Sequence, residues 1–390
     1  MAEEHYSDEA RALYDRLLTV MREAESLSYE SDYHWESEGR ELGHCTYRLW
    51  MKKPNCTRLE ATVDGELRGV LVGDGEFFWI HWPKGRPDYG FDDAAEYERT
   101  RMTSYMKEPA PAGRHSISHQ ANSLAAGMCM LILQPSIFHG CRDGLEDYLD
   151  GVISMEAEQV AGEDCEVIEL SYMSHQRSKY LWLSRTDGLP RKLREVVRVT
   201  HDIVTEEVWR DVRIGDEMPG EMFQWKPPEG WEEFHLPEIE EGLLKPGTEA
   251  PDFDLTATNG QRVKLSELRG RVVWLCFWRV GCPPCREEIP ALERLHRQYG
   301  EKGLVVVGFD WADEREIAVR FLEESGASFL NIVDSCEQAR DTCMEKYQTL
   351  KGCAAVPLNY VIDREGKIVA GWYGSEEEPG LAAIEKAGIT

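Results

Sequence analysis

The tetrapeptide Cys-Pro-Pro-Cys at 282–285 constrains the fold more than any other feature of this sequence. The run RVVWLCFW at 271–278, just before it, is rich in β-branched and aromatic residues and is typical of a buried strand. The run REEIPALERLHRQYG at 286–300, just after it, has apolar residues at helical spacing and ends at a glycine. We therefore expect the two cysteines at a turn from a buried strand into a helix.

The segments that follow continue this alternation. LVVVGFD at 304–310 and FLNIVD at 329–334 indicate buried strands, and EREIAVRFLEESG at 314–326 indicates a helix. LNYVIDREGKIVAGWYG at 358–374 indicates a β-hairpin. The order βαβαββ predicts an α/β domain over residues 250–390, with a central sheet covered by helices on both faces.

Residues 1–223 show a different pattern. An N-terminal helix is followed by short runs with strand character, separated by turns such as Asp64-Gly65 and Asp187-Gly188. A helical or irregular stretch interrupts these runs from about 100 to 150. The pattern predicts an α+β domain with one large antiparallel sheet, curved around an apolar filling. Residues 224–249 are rich in proline, glycine and acids and show neither the two-residue period of a strand nor the 3.6-residue period of a helix. We expect them to be a linker.

The overall charge restricts the partners of this chain. Its 390 residues carry a formal net charge of -28, so nucleic acids and anionic membranes are not expected to bind. We find no apolar run of the roughly 18 residues that a transmembrane helix needs. The N-terminus MAEEHYSDEA lacks the apolar region of a signal peptide, which favours the cytoplasm unless a leader was removed.

The position of Cys282 predicts its chemistry. The unsatisfied N–H groups of a helix N-terminus stabilise a thiolate, so its pKa is expected to fall below the free-cysteine value of ~8.5. Cys285, one turn further, is expected to be more buried. We expect Cys282 to attack a disulfide and Cys285 to resolve the mixed disulfide. Zinc is disfavoured because the chain has one C-x-x-C, and a purely structural disulfide would not need this turn. We expect no metal and no cofactor.

The segment FWRVGCPPCREEIPALERL at 277–295 resembles the thioredoxin-fold thiol–disulfide oxidoreductases of the TlpA/ResA type, within the redoxin (AhpC/TSA) group. Residues 250–273 and GCAAVPLNYVIDREGKIV at 352–369 are similar to the flanking segments of that group. The resemblance covers about 140 residues. It implies Cys282 as the nucleophile, Cys285 as the resolving thiol and Pro357 as a cis-proline. Three residues are expected to contact the substrate, namely Val356 through its backbone, Trp278 and Gly281.

The sequence departs from the family pattern at several positions. Thioredoxins place a buried acid six residues before the nucleophile, but here that position is Cys276, a poor general base near neutral pH. The resemblance points instead to Glu314, with Asp310 as the alternative. Arg279 either acidifies the Cys282 thiol or is simply exposed. Leu358 stands where threonine is common, which puts substrate preference in doubt.

The N-terminal order of elements resembles the lipoprotein-carrier (LolA-like) half-barrel, whose concave face holds acyl chains. Five apolar residues either line such a groove or fill the core, as apolar helical stripes usually do: Leu124, Met128, Met130, Leu131 and Ile132. An acyl or lipid ligand is therefore one expected partner of this domain. Three further cysteines are expected to be buried free thiols, or one of them to form a second disulfide or shuttle electrons: Cys336, Cys343 and Cys353.

These observations predict a thiol–disulfide oxidoreductase, and the resemblance favours a reductase of protein disulfides. Its partners would be a disulfide-bearing protein or small thiol, and a thiol protein that donates electrons. One alternative is a thiol peroxidase, although Arg279 replaces the threonine of the peroxidase signature. The other is a lipid- or protein-binding carrier with a redox-sensing domain. Members of the family are mostly extracytoplasmic, so the resemblance implies an extracytoplasmic (periplasmic) location if a leader was removed.

Overall fold

The computed structural model describes residues 7–90, 92–110, 124, 131–198, 202–350 and 355–390. The chain divides into two compact units, with the boundary between Leu236 and Pro237. Within the described ranges, no helix combines the length and the apolar character needed to cross a membrane.

One 13-stranded sheet forms the N-terminal unit. Its strands are β1 (Ser26–Ser37), β2 (Arg40–Lys52), β3 (Cys56–Val63), β4 (Glu66–Asp74), β5 (Phe77–His81), β6 (Ser104–Pro109), β7 (Leu149–Ser154), β8 (Glu158–Val160), β9 (Glu163–Tyr172), β10 (Arg177–Ser184), β11 (Pro190–Val197), β12 (Ile203–Ile214) and β13 (Glu232–Glu233). The spatial order is β13-β6-β5-β4-β3-β2-β1-β12-β11-β10-β9-β7, and β8 pairs with β9. Within the described residues the two ends of this path do not pair, so the sheet is not a closed barrel.

Alternation along the strands builds the core of this unit. On β2, Tyr47, Leu49 and Met51 are fully buried, whereas Arg48 between them is exposed. Helix α1 (Asp8–Glu23) adds Leu17 and other apolar residues to the same core, and helix α2 (Ala94–Thr100) precedes β6. The antiparallel sheet that the turns and alternation predict is present, with β13 as its one parallel addition among the described strands.

The predicted groove residues that the structure describes lie inside the core. Leu124, Leu131 and Ile132 are buried and belong to the main apolar cluster of the unit. Met128 and Met130 lie outside the described residues.

The predicted linker, residues 224–249, is divided between the two units, and each part packs on its own unit. Its first half packs on the N-terminal sheet, where Trp225 stacks on His81 with ring centroids 4.4 Å apart. Its second half contacts the C-terminal unit, where the Leu244 N–H donates to the Tyr360 hydroxyl at 3.0 Å. Aromatic and backbone groups in this segment therefore find partners, although its composition is that of a linker.

The C-terminal unit has a hairpin, β14 (Asp254–Thr256) with β15 (Arg262–Lys264), and a five-stranded sheet. The sheet consists of β16 (Val272–Phe277), β17 (Leu304–Asp310), β18 (Leu330–Val333), β19 (Leu358–Ile362) and β20 (Ile368–Tyr373), in the order β18-β17-β16-β19-β20. The first three strands are parallel, and β19 and β20 are antiparallel to their neighbours. The helices are α3 (Pro283–Tyr299), α4 (Arg315–Glu324), α5 (Glu337–Asp341), a π-helical turn (Thr342–Tyr347) and α6 (Glu378–Lys386).

Two apolar clusters cover the two faces of this sheet. On β16, Leu275 and its alternate neighbours join the cluster that contains residues of the hairpin, α5 and the π-helical turn. Trp274 and Cys276 point the other way, into the cluster with α3, α4 and α6. This thioredoxin-like arrangement runs βαβαβαββ from β16 to β20, one strand and one helix more than the predicted order βαβαββ. It places the cysteine pair at the carboxyl end of the central strand.

Candidate active site

Cys282 and Cys285 form a disulfide at the start of helix α3, with their Cα atoms 5.3 Å apart. Cys282 is the N-cap of this helix and Pro283 is its first residue. The backbone N–H of Cys285 donates to the Cys282 sulfur at 3.3 Å, so the helix terminus directs a donor at this atom. Cys282 is half-buried and Cys285 fully buried. Solvent therefore reaches the first sulfur but not the second.

A loop with a cis peptide bond faces the disulfide. The bond between Val356 and Pro357 is cis. The carbonyl oxygen of Val356 lies 3.5 Å from the sulfur of Cys282. The backbone just before the proline is therefore beside the accessible sulfur, where an extended peptide could pair with it.

A buried carboxylate anchors the loop that leads to Cys282. The side chain of Asp313 is fully buried and accepts the backbone N–H of Val280 at 2.6 Å. It also accepts from the Arg279 guanidinium at 3.1 Å, an ion pair in which the arginine side chain is 30% exposed. Arg279 is thus bound to a buried acid rather than simply exposed. Asp313 holds two residues of this loop in place.

Asp310 forms a carboxyl pair with Asp313. It is fully buried, and its Oδ1 accepts the backbone N–H groups of Ala312 and Asp313 at 3.0 Å each. Burial and then the negative charge of Asp313 raise the pKa of Asp310 well above its usual value. The Arg279 guanidinium faces Asp313 and not Asp310, so within this pair Asp310 is the carboxyl group whose protonated form is favoured.

A third buried carboxyl group lies on the inner face of α3. Glu288 is 3% exposed and follows Cys285 by three residues, so both side chains lie on the same face of the helix. Its Oε2 lies 3.4 Å from the Cys276 sulfur, and its Oε1 accepts from the Asn359 amide at 2.8 Å. Burial raises the pKa of Glu288 to about 7, although the hydrogen bonds from Cys276 and Asn359 oppose this shift.

Cys276 occupies the place of the buried acid of thioredoxins, and Glu288 supplies the carboxyl group beside it. Burial and then the nearby Glu288 raise the pKa of the Cys276 thiol well above its usual value. This thiol therefore stays protonated and donates to the carboxyl group. Glu288 titrates near pH 7, so it can give or take a proton behind the disulfide.

Comparison with known proteins shows the family to which the C-terminal unit is similar. The sequence model of the AhpC/TSA family matches residues 246–370. The thiol-disulfide oxidoreductase ResA of Bacillus thuringiensis (strain Al Hakam) is 33% identical over 141 residues, which are 36% of this chain and 76% of that protein. The chain belongs to the ResA thiol-disulfide oxidoreductase family. ResA of Bacillus subtilis (strain 168) is 29% identical over 126 residues, which are 32% of this chain and 66% of that protein.

Among solved structures, a thio-disulfide isomerase from Thermus thermophilus is 25% identical to the ResA-type domain. It matches with a TM-score of 0.32 and covers 38% of this chain and 99% of that protein.

Two site residues predicted from the sequence have surroundings in this ResA-type domain that differ from those expected. Trp278 is fully buried and packs against Phe321, with ring centroids 5.7 Å apart, so its side chain cannot contact a substrate. The expected acid, Glu314, is exposed at the N-terminus of α4 and makes no side-chain capping bond there. The buried carboxyl group behind the disulfide belongs to Glu288 instead. Gly281 is half-buried, immediately before Cys282.

The expectation that the three further cysteines are buried fits Cys343, which lies in the core, but is wrong for Cys336, which is exposed at the N-terminus of α5. Cys353 lies outside the described residues.

Proposed function

We propose that this ResA-type oxidoreductase reduces disulfides in protein substrates, with Cys282 as the nucleophile and Cys285 as the resolving thiol. The observation that carries the proposal is the asymmetry of the pair: Cys282 is accessible and Cys285 is fully buried. A substrate sulfur can therefore reach only Cys282. The Val356 carbonyl, 3.5 Å from that sulfur, offers a backbone acceptor to the peptide that carries the substrate disulfide.

The proposed reaction consists of two thiol–disulfide exchange steps. The Cys282 thiolate attacks one sulfur of the substrate disulfide, so a mixed disulfide forms and the other substrate sulfur leaves as a thiolate that takes up a proton. Cys285 then loses its proton and attacks the Cys282 sulfur. The internal disulfide forms, the second substrate thiolate leaves, and two electrons have passed to the substrate. An electron-donating thiol protein restores the dithiol form.

Glu288 is the group that we propose accepts the proton of Cys285. Its carboxyl group is buried one helical turn after Cys285, and its pKa of about 7 suits proton transfer near neutral pH. The Cys276 thiol and the Asn359 amide keep this carboxyl group in position. Val356 and Gly281 would contact the substrate backbone, and Pro357 fixes the loop that contains Val356.

For the N-terminal unit we propose an open, LolA-like architecture. The order of α1 and the antiparallel strands supports it. We assign no acyl ligand, because Leu124, Leu131 and Ile132 fill the core in which such a chain would lie.

The test is to trap the mixed disulfide with a disulfide-bonded protein such as insulin. Reduced Cys285→Ser is expected to form a stable mixed disulfide through Cys282, whereas Cys282→Ser forms none and has no insulin-reducing activity. Cys336→Ser is the matched control, since this exposed cysteine lies in the same unit, and it should keep full activity. Trapping through Cys285 in the Cys282→Ser variant would overturn the assignment of the nucleophile. Consumption of hydrogen peroxide faster than reduction of insulin would favour the peroxidase alternative.

A further inference from the structure

A cluster of two histidines and one carboxylate lies on the outer face of the N-terminal sheet. Asp32 and His34 are two residues apart on β1, so both point to the same side of the sheet. His44 on β2 is directly opposite His34 in the strand register. The three side chains are 30–47% exposed, so ions can reach them from solvent.

The ligand atoms of this cluster converge. His44 Nε2 lies 2.7 Å from Asp32 Oδ1, and His34 Nε2 lies 3.8 Å from the same oxygen. One ligand atom from each of the three residues lies within 4.8 Å of the others. Four-coordinate zinc with bonds of ~2.0–2.2 Å keeps its ligand atoms about 3.3 Å apart. The His34 and His44 rings are stacked in this structure, with centroids 4.1 Å apart and planes 6° apart, so the rings must rotate out of this stack for both to bind one ion.

Two neighbouring charges orient the cluster. Glu41 Oε2 lies 3.3 Å from His34 Nδ1, so it can accept the Nδ1–H and leave the Nε2 lone pair directed at Asp32. The guanidinium of Arg210 on β12 lies 3.6 Å from Asp32 Oδ2, the carboxylate oxygen that does not face the histidines. A carboxylate behind a histidine is the usual outer partner of a metal ligand.

We propose that Asp32, His34 and His44 bind a divalent transition-metal ion, with Zn²⁺ as the ion that this ligand set suits best. Two imidazoles and a carboxylate match zinc, whereas Ca²⁺ and Mg²⁺ prefer oxygen ligands only. The ligands stand on paired strands in the interior of the sheet, which holds their backbones rigid. The net charge of -28 attracts cations to this chain. Three protein ligands leave one coordination position open to water or to a further ligand.

The test is titration of the full chain with Zn²⁺ by isothermal calorimetry. The protein is kept oxidised, so that Cys282 and Cys285 cannot bind the ion, and it contains Cys336→Ser to remove an exposed thiol. We expect one Zn²⁺ per chain. His34→Gln and His44→Gln should each weaken the affinity at least about ten-fold, and Glu41→Gln should weaken it less than either.

His235→Gln is the matched control, because this histidine is also exposed and lies near a carboxylate, 3.8 Å from Glu233, but outside the cluster. The His235→Gln variant should bind Zn²⁺ with the same affinity as the parent protein. Unchanged melting temperatures would show that the variants fold. Cu²⁺ serves as a second probe: its electron paramagnetic resonance spectrum should show two coordinating nitrogens in the parent protein and one in His44→Gln. Equal Zn²⁺ affinity in the parent and in His44→Gln, or no binding by the parent, would overturn the proposal.

Discussion

Glu288 shows how a single buried residue can make the stability of this protein depend on pH. Burial raises the pKa of its carboxyl group from 4.5 to about 7 in the folded protein. The folded state therefore holds this proton more tightly than the unfolded chain does. The stabilisation is complete below the unfolded pKa, and it is lost as the pH rises through about 7.

The glutamine variant tests this linkage. The Glu288→Gln side chain cannot ionise, so this contribution is missing from the variant. The difference in unfolding free energy, wild type minus variant, should therefore fall by roughly 3 kcal/mol as the pH rises from about 4 to about 8. Urea unfolding over this range measures the difference. Glu287→Gln, at the exposed neighbouring position, is the control and should show no such trend. Parallel curves for the wild type and Glu288→Gln would contradict the raised pKa.

Asp313 is the second residue whose role can be measured. Asp313→Asn removes the charge that binds Arg279 and part of the anchor of Val280, so the loop before Cys282 should loosen. We expect the unfolding free energy to fall by roughly 2 kcal/mol and insulin reduction to slow. Glu314→Gln changes the exposed acid next to it and should leave both quantities unchanged. If Glu314→Gln slows reduction more than Asp313→Asn, our assignment of these two acids is wrong.

The sequence could predict some of these residues but not others. The cysteine pair follows from its motif, and Glu288 could have been found because it lies three residues after a buried cysteine on one helix face. Asp313 could not, because it contacts Val280, 33 residues away in the chain. The cross-strand pair of His34 and His44 is equally invisible until the register of β1 and β2 is known.

At the scale of elements, periodicity predicted the strands and helices of the C-terminal unit well, because they are strongly patterned. All six residues of β16 are buried, as the apolar run before the cysteines indicates. The order of the strands in the N-terminal sheet could not be predicted. It depends on the pairing of β1 with β12, which joins residues such as Leu27 and Ile214. No local signal specifies a contact between strands so far apart in sequence.

Helix α1 offers a prediction at this scale. Leu17 is fully buried between the helix and the sheet core, so Leu17→Ala should lower the unfolding free energy of the N-terminal unit by about 2–5 kcal/mol. Thr19→Ala, on the exposed face of the same helix, should change it by less than about 0.5 kcal/mol. Calorimetric unfolding of the variants measures both. Equal destabilisation by the two changes would contradict the packing of α1.

On the scale of the whole molecule, each of the two units has an apolar core of its own. The main cluster of the N-terminal unit contains residues of α1 and the large sheet, while two other clusters cover the faces of the five-stranded sheet. Composition and the change of pattern along the sequence predict two domains joined by a linker over residues 224–249. The structure adds that the boundary lies between Leu236 and Pro237, inside the segment expected to be a linker.

Separate cores imply that the redox unit can act alone. We expect a fragment of residues 237–390 to fold cooperatively and to reduce insulin at a rate within about two-fold of the full chain, because the active-site contacts described above lie within it. Circular dichroism melting and the insulin assay test this expectation. A fragment that folds but is inactive would show that the N-terminal unit contributes to catalysis.

The most direct test of the account is the order in which the cysteines of the reduced protein react with iodoacetamide at pH 7. Brief alkylation followed by peptide mapping gives a rate for each thiol. The helix N-terminus beside Cys282 should make it react at least about ten-fold faster than the exposed Cys336, with the buried Cys285 slowest of the three. A rate at Cys282 no greater than that at Cys336, or faster modification of Cys285, would contradict the claim that Cys282 is the activated nucleophile.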